Sequence, residues 1–123
     1  MFLVVDMEFI EYSKCSTCKK AKKFLLENKI SFDDREIKEK NPSYDEITNW
    51  IKIYKIEVNK LFNTSGLIYK ELNLKDKIKT ISNEEKIKLL SSNGMLVKRP
   101  LLINKDYMLI GFKENEWKEY LIK

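Results

Sequence analysis

Cys15-Ser16-Thr17-Cys18, entered through Glu8-Phe-Ile-Glu-Tyr12 and followed by Lys19-Lys-Ala-Lys-Lys-Phe-Leu25, decides how this chain is read. The motif holds both cysteines of the sequence, at the junction between a short strand and a lysine-rich helix. Residues three apart at a helix start have Cβ atoms roughly 5–6 Å apart, so a small shift at the first cysteine allows a disulfide. The pair can close and open without rearranging the fold. That is the geometry of a redox centre.

Composition narrows the chemistry around the pair. At 123 residues the chain is long enough for one domain with its own core and short for two, so residues 1–123 are read as a single domain. Met1–Asp6 is apolar at its start but lacks a basic n-region and runs at once into Asp6 and Glu8. It is read as an N-terminal extension and not as a signal peptide. No apolar run approaches the ~20 residues that span a bilayer, so a cytoplasmic protein with no membrane partner is expected. A lasting structural disulfide is rare in that compartment, which leaves redox or metal chemistry for a close cysteine pair. Zinc usually takes four Cys or His ligands; here there are two Cys and no His. The absence of His also removes the usual general base near neutral pH, and with it Ser-His and Cys-His hydrolase mechanisms. The net charge of +5 comes from lysines interleaved with acids, the pattern of solvated helix faces. Lys14, Lys19, Lys20, Lys22 and Lys23 gather around the cysteines, but no aromatic platform accompanies them. Direct nucleic-acid binding is therefore not expected.

Periodicity places the remaining elements. Glu8–Tyr12 reads as a strand, and residues 16–28 as a helix with Cys18, Ala21, Phe24 and Leu25 at helical spacing. Ser31–Ile37 reads as a second strand anchored by Phe32 and Ile37. Asn41-Pro42 breaks the chain, and Ser43-Tyr-Asp-Glu46 is a capping box opening a helix with Ile47, Trp50, Ile51 and Tyr54 on one face. A short helical turn at Asn59 leads into a polar loop through Gly66. A second capping box, Ser82-Asn-Glu-Glu85, starts a helix that Asn93-Gly94 stops. Leu101–Ile103 and Tyr107–Ile110 form an antiparallel pair around Asn104-Lys-Asp106. A last helix carries Trp117, Tyr120 and Leu121. The order is β-α-β, a helical insertion over residues 40–95, then β-β-α.

With CxxC at the first strand–helix junction and proline before the third strand, this order is thioredoxin-like: α/β, a four-stranded mixed sheet with a helical insertion between its halves. Cys15-Ser-Thr-Cys-Lys-Lys-Ala21, Leu61-Phe-Asn-Thr-Ser-Gly66, Gly94-Met-Leu-Val-Lys-Arg-Pro-Leu101 and Gly111-Phe-Lys113 together resemble the ArsC/Spx family. The likeness is to its CxxC-bearing, arsenate reductase-like branch from Gram-positive bacteria. It implies a cis Arg99–Pro100 bond lying against the active cysteine.

The residues then take expected roles. Free amides and the macrodipole at a helix start favour an anion, and Lys14 and Lys19 add positive charge, so Cys15 is the expected nucleophile. Cys18, one turn inside the helix, is the expected resolving thiol. Arg99 is expected to hold an oxyanion or substrate carboxylate by paired hydrogen bonds. Lys14, Ser16, Thr17, Asn63, Pro100 and Lys113 are the candidate substrate contacts. For Asn63 the alternative is turn formation, and for Lys113 it is helix capping. Glutathione-linked arsenate reductases of the family bind arsenate with three arginines. Only Arg99 falls at such a position; Asn63 or a neighbour replaces the second, the Gly111-Phe112-Lys113 region replaces the third, and Arg35 lies elsewhere. The resemblance thus implies a thiol-dependent reductase with a weakened grip on arsenate. It would be monomeric, with no bound cofactor and an external thiol reductant (glutathione, bacillithiol or thioredoxin), acting on a protein or low-molecular-weight disulfide. The other reading it implies is a Spx-like redox-sensing regulator that binds the C-terminal domain of the α subunit of RNA polymerase.

Overall fold

Alternation along the first strand builds the core. In β1 (Glu8–Glu11), Phe9 and Glu11 point to one face and Ile10 to the other. Phe9 is in register with Leu102 of β3 (Leu101–Ile103), and Leu102 with Leu109 of β4 (Met108–Ile110). This row of side chains meets Ala21, Phe24 and Leu25 of α1 (Ser16–Glu27) and Trp117 of α6 (Glu114–Leu121) in one buried cluster. Trp117 is fully buried, with its ring edge-on to Phe9 at 6.4 Å and to Phe24 at 6.1 Å. Its indole N–H donates to the Gly111 carbonyl at 3.1 Å. Gly111 has φ 76°, a backbone conformation that favours glycine.

The computed structural model describes residues 7–122; the expected extension Met1–Asp6 lies outside them. The sheet order is β2-β1-β3-β4, with β2 (Asp33–Glu36) parallel to β1 and the other two pairings antiparallel. The described residues divide into two compact units, 7–36 with 99–122, and 37–98. The first holds the sheet, α1 and α6. The second is helical: α2 (Tyr44–Tyr54) packs against α5 (Asn83–Ser92), and α3 (Leu67–Glu71) and α4 (Leu74–Lys77) lie between them in sequence. Two 3-10 turns, Val58–Leu61 and Gly94–Leu96, complete it.

Several expectations are refined. The second strand is shorter than expected, because Phe32 packs on the core from outside the pairing and Ile37 lies beyond it. The Ser43 box forms in both directions, with 3.1 Å bonds each way. At Ser82 the hydroxyl accepts from Glu85 N–H at 3.2 Å, while the Glu85 carboxylate turns to that hydroxyl at 3.4 Å and not to the backbone. Gly94 is not a left-handed helix stop: Asn93 caps with extended backbone, and Gly94 enters the following turn. Its requirement is closeness, since a Cβ there would lie 2.5 Å from the Ile37 carbonyl oxygen. The helices α3 and α4 replace much of what reads as loop, because Leu74 and Tyr69 find buried positions that a local pattern of two or three apolar residues does not reveal.

Leu25 is fully buried within the α1 contribution to the core. Leu25→Ala should destabilise the protein by about 2–5 kcal/mol, the range for a buried leucine truncation, read as a shift in the urea midpoint with unchanged slope.

Candidate active site

The strand-to-helix turn is built around a sulfur. Cys15 has extended backbone and is the residue that caps α1, a position usually held by Ser, Thr, Asp or Asn. Its N–H donates to the Tyr12 carbonyl at 3.0 Å, and its Sγ accepts the Cys18 N–H at 3.4 Å. The cysteine sulfur therefore occupies the place where a helix start offers an anion its free amide. Earlier in the same turn, the Ser13 N–H donates to both carboxylate oxygens of Glu36, at 3.3 and 3.0 Å. The loop carrying Cys15 is thus tied to β1 through Tyr12 and to β2 through Glu36.

Both cysteines are free thiols; Cys15 is partly exposed and Cys18 fully buried. Burial pushes the Cys18 thiol up to about 12, helped by its neighbour Cys15 and opposed by a bond to the Tyr12 backbone and by the charge of Arg99. At neutral pH Cys18 keeps its proton. Arg99 lies with its guanidinium carbon 5.1 Å from the centroid of the Tyr12 ring, a cation–π distance. The Arg99–Pro100 peptide is cis, as the family likeness implies, and Pro100 is buried with its carbonyl accepting from Gly111 N–H at 2.8 Å. Arg99, Tyr12, Cys15 and Cys18 are therefore brought together by the turn after β1 and the entry to β3.

The remaining candidates lie on the surface or in the other unit. Ser16 and Thr17 are exposed in the first turn of α1, and Lys14 is exposed just before it. Lys113 is exposed; it caps α6 through its backbone, its carbonyl accepting from Trp117 N–H at 2.9 Å. Asn63 belongs to the helical unit, where it organises a turn. Its N–H donates to the Leu96 carbonyl at 2.8 Å, its carbonyl accepts from Gly66 N–H at 3.2 Å, and its side-chain oxygen from the Ser65 hydroxyl at 3.3 Å. The lysine cluster is divided as well. Lys22 turns away into ion pairs with Glu11 and Asp34, and Lys23 pairs with Glu27 at 3.7 Å.

The Glu11–Lys22–Asp34 cluster is absent from the sequence reading, although a signal for it exists. Alternation puts Glu11 on the same face as Phe9, so an acid stands at a core position and needs a partner. Lys22 supplies it at 3.2 Å while also meeting Asp34 at 2.6 Å. Burial, and then a hydrogen bond with Asp34, hold the Glu11 carboxyl up at about 7. Burial acts against the Asp34 charge too, but the Glu11 and Lys22 hydrogen bonds outweigh it and keep Asp34 below the usual carboxylate range. The two acids titrate in separate windows. A raised carboxyl contributes stability that is present below its unfolded value and lost as pH rises through its folded one; for Glu11 that window runs from about 4.5 to about 7. The Asp34 contribution is present at neutral pH and lost only in stronger acid. Glu11→Gln should therefore gain stability relative to wild type as pH rises from about 4.5 to about 7, read from urea unfolding at a series of pH values. A difference that stays flat across that window contradicts the assignment.

Among the described residues no group of three or more His, Cys, Asp or Glu could hold a metal ion, and no helix is long and apolar enough to cross a membrane. Comparison with known proteins identifies the family. Residues 10–120 match the ArsC family. The chain is 41% identical over 115 residues to the uncharacterized protein YusI of Bacillus subtilis, covering 94% of this chain and 98% of that one. It is 24% identical over 107 residues to the global transcriptional regulator Spx of the same species, covering 87% and 80%. The crystal structure of an ArsC family related protein from Bacteroides fragilis superposes with a TM-score of 0.88 at 47% identity, over 93% of this chain and 96% of that one. With a thioredoxin-like sheet, a cysteine capping the first helix and a cis-proline entry to the third strand, the chain belongs to the ArsC family.

Proposed function

We propose that the protein is a cytoplasmic thiol–disulfide oxidoreductase in which Cys15 attacks and Cys18 resolves. The observation that carries this reading is the bond from the Cys18 N–H to the Cys15 sulfur. It puts the more exposed sulfur at a helix start, with the second thiol one turn inside. Cys15 as thiolate attacks one sulfur of a substrate disulfide, forms a mixed disulfide and releases the other half as a thiolate. Cys18 then gives up its proton, and its sulfur attacks Cys15 Sγ. The substrate leaves as a second thiolate, and the substrate's two electrons have come from the Cys15–Cys18 pair. An external thiol reductant returns them. Arg99 favours the charged form of Cys18, the form the resolving step requires. Lys14, Ser16 and Thr17 frame the approach to Cys15, with Pro100 and Lys113 assigned as further contacts from the same unit. The presence of Arg99 without two further arginines at the expected positions argues for a disulfide substrate over arsenate.

Native alkylation is the direct test. At pH 7, iodoacetamide should modify Cys15 and leave Cys18 unmodified, as read by peptide mass spectrometry, because burial holds Cys18 as a thiol. In a glutathione redox buffer the wild type should form an intramolecular disulfide, Cys18→Ser should trap a mixed disulfide on Cys15, and Cys15→Ser should lose disulfide-reductase activity. A wild type that forms no such disulfide at any potential rules the reading out.

The likeness to the Spx regulators supports a second reading, in which the same dithiol switches binding to the C-terminal domain of the α subunit of RNA polymerase. A pull-down with that domain distinguishes the two: binding that persists in Cys15→Ser, without disulfide-reductase activity in wild type, favours the regulator.

A further inference from the structure

We propose that Tyr12 is a positioning residue for the resolving step, its ring holding the Arg99 guanidinium so that the charge acts on Cys18; this role rests on the oxidoreductase reading above. Tyr12 is half-buried at the exit of β1, in the same compact unit as Arg99 and both cysteines. Three parts of this one residue meet three members of the site. Its carbonyl accepts the Cys15 N–H at 3.0 Å, its backbone bonds the Cys18 thiol, and its ring centroid lies 5.1 Å from the guanidinium carbon of Arg99.

Resolution is the demanding step, because Cys18 is fully buried and burial opposes loss of its proton. The groups that bear on its charge are the Tyr12 backbone and Arg99, which favour the thiolate, and Cys15, which opposes it. Once Cys15 Sγ is joined to a substrate sulfur it carries no charge, and its repulsion of a Cys18 anion ends. Burial remains. What offsets it is the Tyr12 backbone bond and the Arg99 charge, and Tyr12 touches Arg99 as well as supplying that bond.

An aromatic ring suits this task better than an acid would. A ring face attracts a guanidinium without neutralising it, so the full positive charge stays available to the sulfur. A carboxylate in the same place would fix Arg99 equally well, but it would cancel the charge and repel the thiolate. The backbone bond survives any substitution that keeps the fold, whereas the ring contact depends on the side chain. The two contributions are therefore separable.

Two-phase release of thionitrobenzoate from dithiobis(nitrobenzoate) tests the role. The first thionitrobenzoate leaves when Cys15 attacks and forms the mixed disulfide. The second leaves when Cys18 gives its proton to water and its sulfur attacks Cys15 Sγ. The dithiol is then oxidised to the disulfide, and the reagent is reduced to two thiolates. A tenfold loss of thiolate slows attack by only about threefold, because the more basic sulfur is the better nucleophile. Tyr12→Leu should therefore slow the second phase by roughly threefold and leave the first unchanged. Tyr12→Phe keeps the ring face and should restore the second phase. Arg99→Met should slow that phase at least as much, and adding Tyr12→Leu to it should change little further, since Tyr12 acts through Arg99. The proposal is overturned if Tyr12→Leu leaves the second phase unchanged, or slows both phases alike as loss of structure would. It is overturned equally if Tyr12→Phe is as slow as Tyr12→Leu, or if Tyr12→Leu keeps its full effect beside Arg99→Met. Failure of the oxidoreductase reading looks different: the wild type then releases one thionitrobenzoate with no second phase, and the role of Tyr12 falls with it.

Discussion

A single bond, from the Cys18 N–H to the Cys15 sulfur, constrains everything around it. A helix start must place its free amides somewhere, and here the first turn of α1 directs one of them at the cysteine that ends the loop after β1. The requirement is structural before it is chemical. Because Cys15 is the cap, its sulfur stands at the start of α1, and Cys18 follows one turn later on the buried side of α1. Ala21 and Leu25 share that side and anchor it in the core.

The helix carries two kinds of burial at once. Its apolar face meets Phe9 and Trp117, while Lys22 reaches across to two acids on neighbouring strands. Glu11 could have been an unpartnered acid in the core; shared with Asp34 and Lys22 it becomes a proton-binding cluster on the same strand that delivers the chain to the cysteines. Glu36 plays a related part from the end of β2, accepting the Ser13 N–H. Backbone amides in the turn are thus met by β1, by β2 and by the helix itself, which leaves the loop little freedom.

Much of this was legible beforehand. Strong periodicity marked α1, α2, α5 and α6, and the Ser43 box marked where α2 begins, because an N-cap is a local interaction between residues three apart. The β-α-β and β-β-α halves followed from their order and from the CxxC and proline positions. What escaped were features made by distant contacts. The acids Glu11 and Asp34 are ordinary polar letters until the sheet pairs their strands. Gly94 reads as a helix stop, although its true neighbour is the Ile37 carbonyl. Helices as short as α3 and α4 carry too few apolar residues for a period to register, so their burial decides them and not their pattern.

By itself, the sequence determined that a dithiol sits at a strand–helix junction, that no histidine-based chemistry accompanies it, and which half of the chain is helical. Spacing, composition and periodicity are properties of neighbours along the chain, and they survive without coordinates. Only the tertiary structure decided which cysteine is enclosed, that Arg99 stands by Tyr12 and bears on Cys18, and that Glu11 shares a cluster with Lys22 and Asp34. Burial and desolvation depend on which remote segments cover a side chain, and charge pairing depends on which remote groups reach it.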